Sequence, residues 1–100
     1  MRFQLVDGVQ FDIRFKYIPV YLFGAEVTYQ THCTISSVNQ QISYGSDKYK
    51  PVAIGVAFQN PQDVFVKDKG RRIALARALE YPHFHKAFRK LAWNAYLNRK

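Results

Sequence analysis

Residues 60–80 read NPQDVFVKDKGRRIALARALE, and this stretch divides the chain into two halves of different character. Asn60 suits a helix cap and Pro61 a first helical position. Asp63, three residues after the cap, places an acid among the free N–H groups of a first turn. The pattern predicts a helix from about Pro61 to Glu80, with a start near Asp68 as the other reading. Gly70, Ala74 and Ala78 recur every four residues as a row of small side chains. Glycine inside a helix costs on the order of 1 kcal/mol relative to alanine, so the row is expected to offset that by close packing on another element, or else to mark a kink. Arg77, four residues after Ile73, borders the row and is expected to be partly buried and paired, for instance with Glu80.

Upstream of Asn60 the chain reads as strands. Between residues 3 and 17 the apolar positions are odd: Phe3, Leu5, Val9, Phe11, Ile13, Phe15 and Tyr17. A two-residue turn at Asp7-Gly8 would set Leu5 opposite Gln10. A three-residue loop, Val6-Asp7-Gly8, with Gly8 in the left-handed region, sets Leu5 opposite Val9 and Phe3 opposite Phe11, and is preferred. Pro19 and Gly24 interrupt the next run, so Val20 to Phe23 reads as a short edge piece or a turn. Alternation returns with Val27, Tyr29, Thr31, Cys33 and Ile35 on one face and His32 among the polar residues of the other. Residues 39–50 are polar around Gly45-Ser46-Asp47 and read as the loop of a wide hairpin. Residues 52–58, VAIGVAF, suit a central strand covered on both faces or one lying under the helices.

A second helix is expected from Pro82 to about Asn98. Stepping about 100° per residue places Phe84, Phe88, Leu91 and Ala95 in one core-facing stripe, flanked by Ala87 and Ala92. Lys86, Arg89, Lys90, Trp93, Leu97 and Lys100 fall opposite it. The expected fold class is therefore α+β: an antiparallel sheet of about four strands (1–59) followed by two C-terminal helices on one face (60–100), a single domain.

Charge is unevenly placed. Residues 1–62 carry five Lys and Arg against four Asp and Glu, whereas residues 63–100 carry ten against three, so the net +8 divides into +1 and +7. A basic helical half points to nucleic acid or a nucleoprotein complex, and a solvated, solubilising face is the plainer reading. The candidate contacts are Lys67, Lys69, Arg71, Arg72, Lys86, Arg89, Lys90, Trp93, Arg99 and Lys100. A protein-binding inhibitor, with Trp93, Leu97 and nearby arginines set against an acidic host surface, is the alternative.

Little in the sequence supports catalysis. The seven acids, Asp7, Asp12, Glu26, Asp47, Asp63, Asp68 and Glu80, do not pair on a helix face or along a strand of the basic half. His83 and His85 would project roughly 200° apart on a helix, which does not suit joint metal ligation. No glycine-rich phosphate loop or nucleophile elbow appears. Cys33 is the single cysteine, expected to be a small buried residue. The expectation is a non-enzymatic protein without cofactor or metal. The run from Ile18 to Ala25 is too short to cross a bilayer and Met1-Arg2-Phe3 begins no signal peptide, so the cytoplasm is the expected location.

The segment from Asp63 to Leu79 resembles a pattern of small bacteriophage and mobile-element accessory proteins: an apolar strand followed by Asp-x-Phe-x-Lys-x-x-Gly-Arg-x-x-Ala-x-x-Arg-Ala. That resemblance implies action on host machinery in a bacterial cytoplasm, including defence systems of the CRISPR kind. A fainter likeness to double-stranded-RNA-binding domains rests on a strand, a basic turn and an alanine-rich helix. The chain departs from those domains in opening with strands and in carrying a second C-terminal helix.

Overall fold

The computed structural model describes residues 1–22, 26–38, 49–60, 64–80 and 84–99. Four strands, β1 (Arg2–Gln4), β2 (Gln10–Leu22), β3 (Glu26–Val38) and β4 (Tyr49–Phe58), form one antiparallel sheet in the order β1-β2-β3-β4. Two helices, α1 (Lys67–Glu80) and α2 (Lys86–Leu97), follow and cover one face, as the α+β reading expected. The Gly45-Ser46-Asp47 loop, Gly24, Pro61, Asp63, Pro82, His83 and Lys100 lie outside the described residues.

The first hairpin has the three-residue loop. Leu5 N–H donates to the Val9 carbonyl at 2.9 Å, Phe3 is opposite Phe11, and Gly8 has φ +92°. Val9 N–H also reaches the Asp7 carboxylate at 3.0 Å, an Asx contact that tightens the turn. This register fixes which way the backbone of β2 points. Ile13 N–H donates to the Met1 carbonyl, so the odd residues of β2 turn their N–H groups away from β3. Beyond Ile13 no described strand lies on that side. Pro19, opposite Tyr29, therefore loses no ladder hydrogen bond, and β2 runs through it unbroken to Leu22 instead of ending in a turn.

The helix-facing side of the sheet has two textures. Under α2 it is aromatic. Phe88 meets Phe3 and Phe11 edge-on at 5.2 and 4.9 Å, and Phe15 meets Tyr96 at 5.7 Å. Under α1 it is small: Cys33, Ala53, Gly55 and Ala57, all buried. The small-residue row of α1 settles there. Ala74 and Ala78 have no exposed surface, and a Cβ on Gly70 would come within 2.5 Å of Thr31 Oγ1. A Cβ on Gly55 would overlap the Ala74 carbonyl oxygen and the Ala78 backbone nitrogen. β4 is thus an edge strand lying under a helix and is not covered on both sides, since Ile54 and Phe58 on its other face are 60% and 67% exposed.

α1 begins at Lys67, near the later of its two expected starts, and α2 begins at Lys86, later than Pro82 suggests. Val64 to Val66 is not helical, and the first α1 hydrogen bond runs from Gly70 N–H to the Val66 carbonyl at 3.1 Å. Phe65 is used instead to close the end of the core, stacked on Tyr29 at 4.6 Å and edge-on to Tyr17 at 6.0 Å. Flanking β-branched valines favour that extended backbone. At α2, Phe84 and His85 precede the helix, and Arg89 N–H to His85 carbonyl is its first bond.

Gly70→Leu is expected to lower the free energy of unfolding by about 1–3 kcal/mol through overpacking against Thr31, despite leucine's better helix propensity. Gly55→Ala should lose at least as much, because the obstacle there is helix backbone. Urea denaturation measures both, and an unchanged midpoint for either would place α1 farther from the sheet.

Candidate basic interface

Asp68, in the first turn of α1, organises the cations around it. Its carboxylate accepts a hydrogen bond from the Tyr96 hydroxyl at 2.5 Å, from Arg72 Nε at 2.8 Å and from Arg99 Nη2 at 3.3 Å, with Arg71 Nη2 at 3.9 Å. Arg71 in turn donates Nε to the Tyr96 hydroxyl at 3.3 Å and Nη1 to the Tyr17 hydroxyl at 2.8 Å. Arg99 lies 3.9 Å from the Tyr96 ring centroid and donates to the Tyr96 carbonyl at 2.6 Å, closing the end of α2. The hydrogen bond from Tyr96, followed by that from Arg72, holds the Asp68 carboxyl down at about 2. Burial first, and then its bond to Asp68, pushes the Tyr96 hydroxyl up.

Three of the candidate contacts, Arg71, Arg72 and Arg99, are thereby committed to joining the start of α1 to the end of α2. Lys67 leans on the Tyr17 ring, 5.3 Å from its centroid. Lys69 is exposed at a cleft of about 210 Å³ bordered by Tyr29, Phe65, Gly70 and Ile73. Lys86, Arg89 and Lys90 are all exposed on α2, and their i, i+3, i+4 spacing puts them on one face. Their side chains have no partner among the described residues.

Trp93 does not stand free on the outer face. It is half-buried against the core, edge-on to Tyr96 at 6.1 Å. The fully buried line of α2 is Phe88, Ala92 and Tyr96; Phe84, Leu91 and Ala95 are only partly buried, and Ala87 is exposed. The helix is therefore turned toward Tyr96 relative to the stripe expected from Phe84. The sequence gives Tyr96 no role and marks Tyr17 only as an apolar strand position. The clue available was the four-residue spacing Phe88-Ala92-Tyr96, together with Asp68 placed three and four residues before Arg71 and Arg72. Arg77 is exposed and donates to the Val56 carbonyl at 2.7 Å instead of pairing with Glu80.

Other reactive side chains are quiet. Cys33 is buried and its thiol is pushed up to about 12 by desolvation. His32, on the open face of the sheet, shares a hydrogen bond with Gln30 at 3.1 Å. Among the described residues no three His, Cys, Asp or Glu side chains converge to hold a metal, and no helix is long and apolar enough to cross a membrane.

Asp68 is depressed from its ordinary value, so the stability it lends is present above about pH 4 and is lost as pH falls toward 2. Asp68→Asn is expected to melt below the parent protein at pH 7, and the gap should narrow as the pH drops through that window. Thermal melts by circular dichroism test this, and a gap independent of pH would remove Asp68 from the hub. No protein-family model, curated protein or solved structure matches the chain.

Proposed function

We propose that the chain is a non-enzymatic accessory protein that binds nucleic acid, or a nucleoprotein complex, through the outer face of α2. The observation that carries this reading is the contrast between two groups of cations. Arg71, Arg72 and Arg99 already hold acceptors inside the fold. Lys86, Arg89 and Lys90 are exposed without one among the described residues, on the half of the chain that carries seven of the eight net positive charges. Such a face contacts phosphates and not base edges, so binding should be tolerant of sequence and strongly dependent on salt. Trp93 is only partly available to that contact, because it is half-buried and meets Tyr96 edge-on. The resemblance of residues 63–79 to phage accessory proteins supports a bacterial cytoplasmic setting and a host nucleoprotein, such as a defence nuclease, as the target.

One observation favours the alternative of a host-protein inhibitor. Leu97 is 53% exposed on the same side of α2 as Lys86 and Lys90, and an apolar residue among cations suits an acidic protein surface. Reversing Arg89 and Lys90 to glutamate separates the two. The double variant should keep its melting temperature and lose oligonucleotide affinity sharply, with the salt slope shrinking by roughly 0.9 per lost phosphate contact on duplex DNA. Fluorescence anisotropy with a labelled duplex across a salt series reads this. If the parent protein binds no oligonucleotide, yet retains one host protein from nuclease-treated lysate, the inhibitor reading holds instead.

A further inference from the structure

Among the described residues β4 is the last strand of the sheet, and its pairing phase decides what its outer edge presents. Gln59 N–H donates to the Tyr29 carbonyl at 3.1 Å, in the same register as Thr31 opposite Ala57 and Cys33 opposite Gly55. In an antiparallel ladder, pairs that exchange both hydrogen bonds alternate with pairs whose backbone groups point the other way. Ala53, Gly55 and Ala57 therefore direct their N–H and C=O groups to β3. Ile54, Val56 and Phe58 direct theirs off the sheet.

At the middle of that outward row stands Arg77. Its Nη1 donates to the Val56 carbonyl at 2.7 Å, reaching over the edge from α1. It can do so because Ala74 and Ala78 lie directly on Gly55, one residue before Val56. We infer that the free edge of β4 is a self-pairing surface held closed by Arg77, and that its occupant, once Arg77 is removed, is β4 of a second copy of this chain.

The register argues for a second copy. Antiparallel pairing of two β4 strands about a twofold axis at Val56 sets Ile54 of one copy opposite Phe58 of the other, twice over. These two side chains share a face and are 60% and 67% exposed, so the pairing gives each an apolar cross-strand neighbour. The outward N–H and C=O groups of residues 54, 56 and 58 then meet in register. The same axis would bring both Arg77 guanidinium groups together. Arg77 opposes the pairing in two ways, by occupying the central carbonyl and by like-charge repulsion, which is how a cation blunts a sheet edge.

Arg77→Ala is the test, read by light scattering on a sizing column across a concentration series. The parent protein should remain monomeric, and the variant should become dimeric as concentration rises. Adding Val56→Pro to Arg77→Ala should restore the monomer, because proline there removes an outward N–H and no bond to β3. Should Arg77→Ala fail to fold, Arg77→Met keeps the aliphatic stem, removes the donor and charge, and is read the same way. A variant that stays monomeric wherever the parent does, or a dimer that survives Val56→Pro, overturns the inference.

Discussion

The contact on which the rest of the structure depends is the seating of α1 on β4 without an intervening side chain. The Ala74 carbonyl and the Ala78 backbone occupy the space where a Cβ of Gly55 would be, and Gly70 admits Thr31 one helical turn earlier. Contact at two points along the helix fixes both its height and its tilt. Leu75 and Leu79 are then pressed fully into the core, Arg77 is carried to the outer edge of β4, and Asp68 is brought level with the end of α2. Glycine and alanine contribute little buried area, so their value here is geometric. They let the larger neighbours reach the depth at which apolar burial stabilises, at roughly 25 cal/mol per Å².

The other half of the sheet solves the opposite problem. Phe3, Phe11 and Phe15 raise the floor under α2, which is held at its start by ring contacts with Phe88 and at its end by Tyr96. Tyr96 has no exposed surface, and a buried hydroxyl without a partner would be costly. Asp68 and Arg71 supply the acceptor and the donor, so the polar hub is what allows so large a ring at that depth. The hub and the aromatic cluster sit at opposite ends of α2 and between them set its rotation. That rotation buries Phe88, Ala92 and Tyr96 and leaves Lys86 and Lys90 outward, while Trp93, on the same side of the helix as Lys86, is half-buried against Tyr96.

Features that repeat along one segment were legible in the sequence. The hairpin register followed from matching Leu5 to Val9. The buried face of β3 followed from Thr31, Cys33 and Ile35, and the packing role of the Gly70-Ala74-Ala78 row from its spacing. Features set by a second segment were not. Gly55 is half of the helix contact, yet inside VAIGVAF it looks like a weak point of a strand. Pro19 looks like a stop to β2, but the hairpin register turns its missing N–H to an edge that no described strand pairs. A helical phase counted from Phe84, which precedes α2, points the core stripe away from Tyr96. The partners of Arg77 and Asp68 are likewise drawn from elements distant in sequence, about which helical periodicity is silent.

The division of labour between the two kinds of cation links this architecture to the proposed interface. Arg71, Arg72, Arg77 and Arg99 each donate to an acceptor within the fold, whereas Lys67, Lys69, Lys86 and Lys90 are exposed and hold no hydrogen-bonded acceptor among the described residues. A guanidinium fork can serve two or three acceptors at once, as Arg71 does with Tyr17 and Tyr96, so it suits a hub crowded by rings and a single carboxylate. An ammonium on a flexible stem suits a partner whose charges are spaced by its own backbone. Arg89 is the exception that belongs with the lysines, because it lies exposed on α2 and forms no ion pair among the described residues. Positive charge on α2 can therefore be altered without loosening the fold, while the same change at Asp68 or its arginines would release the end of α2. The surface available to a polyanion and the machinery that holds the helices together draw on the same residue class but on separate residues.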